Sequence, residues 1–182
     1  LNNSGGTIFT DDTIRDGDSV INIESGATLQ LNGPVDTTTY EWARFLTGAG
    51  DLEFEGTGNH NIQLGLLSTD DEDANAANGI QNPDFSGTIT TNNTNYIKVE
   101  NTSGSGNTWE GHQVISGSFA GSGNLVKEGD GRLELKGNNS GFSGQFKLSD
   151  GTLILNSANA LNGNGVDVIA GKVAIGSTGS TG

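Results

Sequence analysis

The chain has no cysteine and no methionine, only 2 prolines, and 6% aromatic residues among 182 positions. Without cysteine there is no disulfide framework and no thiolate metal site. Basic residues are also few: 8 Lys and Arg stand against 22 Asp and Glu, a formal net charge of −14. Phosphate backbones and anionic bilayers are bound by clustered Lys and Arg, so nucleic acid and membrane surfaces are excluded as partners. No run approaches 18 apolar residues, so this segment is not expected to insert in a membrane as a helix. Leu1 to Gly6 lack the basic region and apolar stretch of a secretion signal. The chain is therefore read as intracellular or as freed of a targeting segment. Good helix formers are scarce, which excludes a helical bundle.

What remains is small and polar. Gly 30, Asn 21, Thr 19 and Ser 16 together make 86 of the 182 residues. Leu, Ile, Val and Phe number 42, about 23%, just above the level at which a chain cannot form a core. That argues against plain disorder and also against a thick globular interior. The length suits one domain, or one piece of a larger array. Cohesion has to come from a repeating backbone ladder.

The C-terminal third carries a repeat. Gly131-Arg132-Leu133-Glu134-Leu135 recurs as Gly151-Thr152-Leu153-Ile154-Leu155 and again as Gly171-Lys172-Val173-Ala174-Ile175. The step is 20 residues, and each copy reads Gly-x-apolar-x-apolar. A second column is read at the same step through Val126, Phe146 and Val166, with Leu148 and Val168 two places later. Upstream, Gly111 and Ile115 stay in phase while Gln113 breaks the column. Apolar and polar residues alternate within each copy, which is strand periodicity. Gly, Asn, Asp and Ser separate the strands and supply turns. A 20-residue unit cannot bury its own apolar face, whereas stacked units can. The expected fold is all-β: a right-handed parallel β-helix, or solenoid, of about nine coils of roughly 20 residues.

Before residue 109 the spacing is less regular but the vocabulary persists. Gly48 to Gly56 reads like Gly121 to Gly129, Asp84 to Ile89 echoes Gly141 to Phe146, and Ser25 to Asn32 reads like Asp150 to Asn156. The expected organisation is one unit over 1–182: irregular coils over 1–108, regular repeats over 109–176, and a tail over 177–182. Two loop excursions are expected, near 34–42 and 68–83.

The run from Gly121 through Val126-Lys127-Glu128-Gly129, Leu133-Glu134-Leu135 and Asn138-Asn139 to Phe142-Ser143-Gly144, closed by Gly151-Thr152-Leu153, resembles the passenger-associated repeat of bacterial autotransporters. That family's pattern is roughly GSGxLxKxGxGxLxLxGxNxYxGxT followed by GTLxL. Lys127 falls on its Lys and Asn139 on its Asn, while Phe142 replaces the usual Tyr. The likeness is close over about 109–176. It implies a right-handed β-helical passenger displayed outside a Gram-negative cell, often as an adhesin or self-association protein. It further implies a parent chain with a signal peptide and an outer-membrane translocator barrel.

Candidate sites are few. Gly17-Asp18-Ser19-Val20 superficially resembles an esterase nucleophile block, but that chemistry needs a His oriented by an Asp three places before it. His60 and His112 are preceded at that distance by Thr57 and Trp109, so the segment is read as a turn entering a strand. A β-helical lyase needs an exposed base beside calcium-holding carboxylates, and only Arg15, Arg44 and Arg132 offer guanidinium groups. No catalytic residue and no bound cofactor is expected.

Calcium is a speculative use for the loop Asp70-Asp71-Glu72-Asp73, beside Asn75 and Asn78, with Asp11, Asp12, Asp16 and Asp18 as a second cluster. Neither has the spacing of a known calcium motif, and a solvated acidic loop is the alternative. Tyr40, Trp42 and Phe45 flank Arg44 in the first interruption, either as a contact surface or as cover for the coil beneath. Trp109 reads as structural, and both histidines as ordinary surface residues. The residues singled out are structural: Gly131, Leu133, Leu135, Gly151, Leu153, Leu155, Gly171, Val173 and Ile175.

The functional expectation is a non-enzymatic cell-surface passenger segment, acting in adhesion, in self-association or as a display stalk. Its partners would be itself or other surface proteins and glycans. An extracellular polysaccharide-active enzyme and a subunit of a structural filament are the alternatives.

Overall fold

The computed structural model describes residues 20–32, 39–43, 45–55, 61–64, 83–104, 107–109, 111–161, 163 and 165–176. Short alternating segments ending in Gly, Asn or Asp become short strands, because the turns between them leave no room for longer ones. The chain passes repeatedly through three such segments. The first pass comprises β1 (Val20–Ile23), β2 (Thr28–Asn32) and β3 (Thr39–Ala43). The second comprises β4 (Phe45–Gly48), β5 (Asp51–Glu55) and β6 (Asn61–Leu64); the third, β7 (Asp84–Phe85), β8 (Thr88–Thr91) and β9 (Asn95–Val99).

A hairpin of β10 (Thr102–Gly104) and β11 (Asn107–Trp109) comes next. It is followed by β12 (His112–Ile115), β13 (Ser118–Gly121) and β14 (Leu125–Glu128). The remaining strands are β15 (Arg132–Leu135), β16 (Phe146–Leu148), β17 (Thr152–Leu155), β18 (Val166–Val168) and β19 (Lys172–Ile175).

These strands sort into three sheets. Sheet 1 has the order β1-β4-β7-β12-β15-β17-β19, sheet 2 β13-β8-β5-β2, and sheet 3 β18-β16-β14-β9-β6-β3. Pairing in all three is parallel; among the described residues only β10 and β11 pair antiparallel. No helix occurs among the described residues. The 20-residue columns stand as expected: Leu133 pairs with Leu153 and Leu153 with Val173, while Leu135 pairs with Leu155 and Leu155 with Ile175. Leu133, Leu135 and Leu153 are buried in one continuous core.

Several sequence readings are corrected. Phe146 pairs with Leu125, and Val126 with Lys147, so the second column is one residue off. It runs Leu125, Phe146, Val166, with Lys127, Leu148 and Val168 as its companion. The cause is one additional residue between β14 and β15, in the turn at Gly129, where φ is 72°. The three upstream likenesses do not mark equivalent positions either. Strands β2 and β5 lie in sheet 2, whereas β14 lies in sheet 3 and β17 in sheet 1; Asp84–Phe85 lies in sheet 1, whereas Phe146 lies in sheet 3.

Residues 39–42 of the first expected loop fall instead in β3, which pairs with β6. Of the second expected loop only Pro83 is described, and residues 68–82 lie outside the described set. A further excursion, the β10–β11 hairpin, lengthens one pass so that Asp84 pairs with Val114, a step of 30.

Several polar residues occupy rungs of apolar columns. Gln113 does not break its column: it pairs with Leu133 and is 1% exposed. Its position explains why an amide is tolerated there. β7 meets β4 only at Gly48 and Phe85, so Leu46 stands level with Pro83, which has no N–H to give. The Leu46 N–H donates to Gln113 Oε1 (3.0 Å). Gln113 Nε2 reaches the carbonyls of Leu46 (2.9 Å), Pro83 (3.1 Å) and Val114 (2.8 Å). The side chain acts as the missing peptide group.

Asn139, 1% exposed, does the same where sheet 2 has ended at β13. Its Oδ1 accepts from Phe119 N–H (2.8 Å), and its Nδ2 donates to the Ala160 carbonyl (2.7 Å). Phe142 fills the apolar space beside this turn, 4.8 Å from Phe146 and 6.0 Å from Phe119 between ring centroids. Asn95 is the exception. It pairs with Leu125, is fully buried, and neither atom of its amide has a hydrogen-bond partner.

Glycine sets the cross-section at one corner. A Cβ on Gly87 would lie 1.6 Å from the Gly50 carbonyl oxygen, on Gly117 1.8 Å from that of Gly87, and on Gly137 1.6 Å from that of Gly117. Only a residue without a side chain lets the backbone close on itself there.

Two substitutions of the same kind therefore have opposite signs. Asn95→Leu relieves an unsatisfied buried amide and is expected to raise unfolding free energy by about 1–3 kcal/mol. Gln113→Leu strands the Leu46 and Pro83 groups and is expected to lower it by about 2 kcal/mol or more. Urea unfolding followed by circular dichroism checks both; a loss of stability in Asn95→Leu contradicts the assignment of its amide as unpaired.

Candidate functional site: an acidic groove over a buried lysine

Where sheet 3 hands the chain back to sheet 1, successive turns stack Lys98 and Glu100, Glu128 and Asp130, then Ser149 and Asp150. They line an open groove of about 490 Å³. Acidic residues collect here because a turn that must leave a strand sharply favours Asp and Gly, and the stack brings each turn over the last. Lys98 pairs with Glu100. Asp130 Oδ1 accepts from the Asn101 N–H (2.7 Å), and Asn101 Oδ1 in turn accepts from the Gly111 N–H (2.8 Å). Asp150 Oδ1 accepts from the Gly151 N–H (2.7 Å). Two of the four carboxylates are thus tied to backbone N–H groups, Asp130 to the preceding pass and Asp150 to its own turn.

Beneath the groove lies Lys127, 2% exposed, in the column Ile97, Lys127, Leu148, Val168. Its Nζ donates to the carbonyls of Glu128 (2.6 Å), Gly129 (2.5 Å) and Asp150 (3.2 Å). The additional residue of the Gly129 turn is therefore held by the ammonium group. Burial pushes the Lys127 pKa down to about 8, against the opposing pull of Asp150, Glu100, Asp130 and Glu128. A Cβ on Gly151 would lie 2.8 Å from Nζ, which ties the repeated glycine to the lysine below it. As an amine that could accept a proton from a substrate, Lys127 is enclosed. As a fixed positive charge it steadies the carboxylates above.

A second polar group lies on the outer face of sheet 1. His112 Nε2 meets Glu134 Oε2 at 3.0 Å; Glu134 Oε1 accepts from Asn156 Nδ2 (2.7 Å) and stands 3.6 Å from Lys136 Nζ. Burial lowers the His112 pKa, opposed by the Glu134 charge and hydrogen bond. A neutral ring facing a carboxylate must donate through Nε2. The expectation that His112 is an ordinary surface residue without a carboxylate partner is corrected. The signal was available, since Glu134 lies one 20-residue step plus two positions away, on the same face of the next strand.

The repeat residues Gly131, Leu133, Leu135, Gly151, Leu153, Leu155, Gly171, Val173 and Ile175 take the stacked places described above. The proposed calcium loop Asp70–Asp73, the cluster from Asp11 to Asp18, and Ser19, Arg44 and His60 lie outside the described residues. Tyr40 and Trp42 fall in β3 and Phe45 in β4, in strands and not in a loop. Among the described residues, no group of three or more His, Asp or Glu is placed to hold a metal ion.

Lys127 makes stability depend on alkaline pH. Its folded pKa of about 8 lies below the ordinary 10.5, so between these values the unfolded chain holds a proton that the folded chain has released. The cost of burying the charge is present below pH 8 and is relieved as pH rises through the window. The stability difference between the natural chain and Lys127→Met should therefore shift in favour of the natural chain from pH 8 to 10.5; a flat difference contradicts the burial of a charge. Compared with protein-family models, curated proteins and solved structures, the chain matches none.

Proposed function

We propose that the chain is a right-handed parallel β-helix serving as a non-enzymatic passenger segment on the surface of a Gram-negative cell. In that setting it works in adhesion, in self-association or as a display stalk. The observation that carries this reading is the three-sheet parallel stack with its 20-residue rungs. Such a stack grows only along one axis and offers long, flat, polar sides. Contacts spread along those sides act by avidity, each weak and together strong. The partners are itself or other surface proteins and glycans, and the parent chain is joined to an outer-membrane barrel, as the resemblance in residues 109–176 implies.

One observation favours a second reading, a polysaccharide-active enzyme: carboxylates and an amine share the groove. Against it, Lys98 on the groove wall is paired with Glu100, the Lys127 amine beneath is spent on three carbonyls and sealed from solvent, and Asp130 and Asp150 are tied to turn N–H groups. A base that cannot reach a substrate supports charge balance better than catalysis.

The two readings separate by experiment. Displayed on cells through a translocator barrel, the chain is expected to cause clumping that rises with ionic strength, because salt screens a surface of net charge −14. Millimolar calcium is expected to act in the same direction if residues 70–73 hold it, with a matching heat in calorimetry. Clumping indifferent to both salt and calcium contradicts the display reading. Release of shortened chains from neutral or acidic glycans establishes the enzymatic one.

A further inference from the structure

Two aspartate–glycine steps border the groove one rung apart, Asp130-Gly131 and Asp150-Gly151, and their glycines stack because Arg132 pairs with Thr152. The same dipeptide in the same place is held in two different ways. At Gly131 the N–H donates to the Val99 carbonyl (2.8 Å), and the Asp130 carboxylate is turned to the Asn101 N–H (2.7 Å). Asn101 Nδ2 also donates to the Asp130 carbonyl (3.1 Å). Nitrogen and carboxylate are thus drawn apart. At Gly151 the N–H donates instead to Oδ1 of Asp150, the residue before it, at 2.7 Å. Asp150 is exposed on the groove, and Lys127 Nζ donates to the carbonyl of that same peptide unit (3.2 Å).

We propose that Asp150-Gly151 is a self-modifying site, at which the Gly151 nitrogen closes on the Asp150 side chain to a cyclic imide that reopens to isoaspartate. Cγ lies one C–O bond, about 1.2 Å, from Oδ1, so the nitrogen is within about 4 Å of it. Reacting atoms about 3–3.5 Å apart are in attack range, and a small rotation about Cα–Cβ covers the difference. Glycine has no side chain to obstruct the ring. The carboxylate first takes up a proton from solvent. The nitrogen then bonds to Cγ, its own proton passes to the carboxyl hydroxyl, and that oxygen leaves as water.

Lys127 directs how the ring reopens. Water from the groove can add to either imide carbonyl. The former main-chain carbonyl of Asp150 is the one held by the ammonium group, which stabilises the oxyanion that forms there. Breaking the bond from that carbon to the Gly151 nitrogen restores the N–H and leaves the peptide link running through Cγ. The new α-carboxylic acid gives its proton to solvent and lies beside Lys127, so a contact with a neutral carbonyl becomes an ion pair. The product has one more backbone atom between β16 and β17. The site goes beyond the display reading and does not depend on it.

Asp130-Gly131 is the control within the natural chain. The 182-residue protein is aged in warm, mildly acidic buffer, once folded and once in urea. A protease that cuts before aspartate but not before isoaspartate, followed by mass spectrometry, reads each site. Heavy-oxygen water marks every reopened residue. In the folded chain, modification at 150 is expected to exceed that at 130 about tenfold or more, through an intermediate lighter by one water. In urea the two sites are expected to react alike, with a smaller share of isoaspartate among the reopened residues. Lys127→Met, shown to be folded by circular dichroism, is expected to return that share to its urea level while the imide still forms. Equal modification of the two sites in the folded chain, or an Asp150 that reacts only in urea, overturns the proposal. An isoaspartate share that is the same folded and in urea overturns the part given to Lys127.

Discussion

A buried peptide group must find a hydrogen-bond partner, and this chain has too little apolar surface to compensate for many failures. Parallel stacking meets that demand by giving each strand the strand above and the strand below. The demand is hardest to meet where a strand is missing. At each such gap a side chain stands in for a backbone group: Gln113 beside the two-residue β7, Asn139 beyond the end of sheet 2, and Lys127 inside the enlarged turn at Gly129. Their polarity within apolar columns is the mark of that substitution. Asn95 occupies a similar rung without completing one, which makes it the weak point of the interior.

The same constraint explains what could be read in advance. Leu133, Leu153 and Val173 repeat at a constant step because three successive passes have identical turn lengths, so sequence distance equals spatial stacking. The adjoining column was misread by one position because a single additional turn residue shifted its phase, and that residue is visible only through the carbonyls that Lys127 collects. The upstream likenesses failed for a different reason. Gly followed by x-apolar-x-apolar describes any strand leaving a turn, so β2 and β5 in sheet 2 look like β17 in sheet 1 and β14 in sheet 3. Local pattern identifies a strand; only register identifies its sheet.

The candidate site was less legible. Acidic residues were expected to matter in the loop at 70–73, whereas the groove over Lys127 draws its carboxylates from three separate turns, none of them dense in sequence. Glu100, Glu128, Asp130 and Asp150 become neighbours only after stacking. His112 and Glu134 are joined in the same way. In a stacked chain the chemistry of a face belongs to no contiguous segment, and a search for clustered residues along the sequence passes over it.

The glycine corner at residues 50, 87, 117 and 137 carries an evolutionary implication. Each carbonyl there rests on the next backbone with no space for a methyl group, so a side chain gained at any of these positions would push two passes apart. Gly50, Gly87, Gly117 and Gly137 are separated by 37, 30 and 20 residues, so the length of chain between corners varies while the corner itself does not. The β10–β11 hairpin is one such variation, falling between the corner glycines 87 and 117.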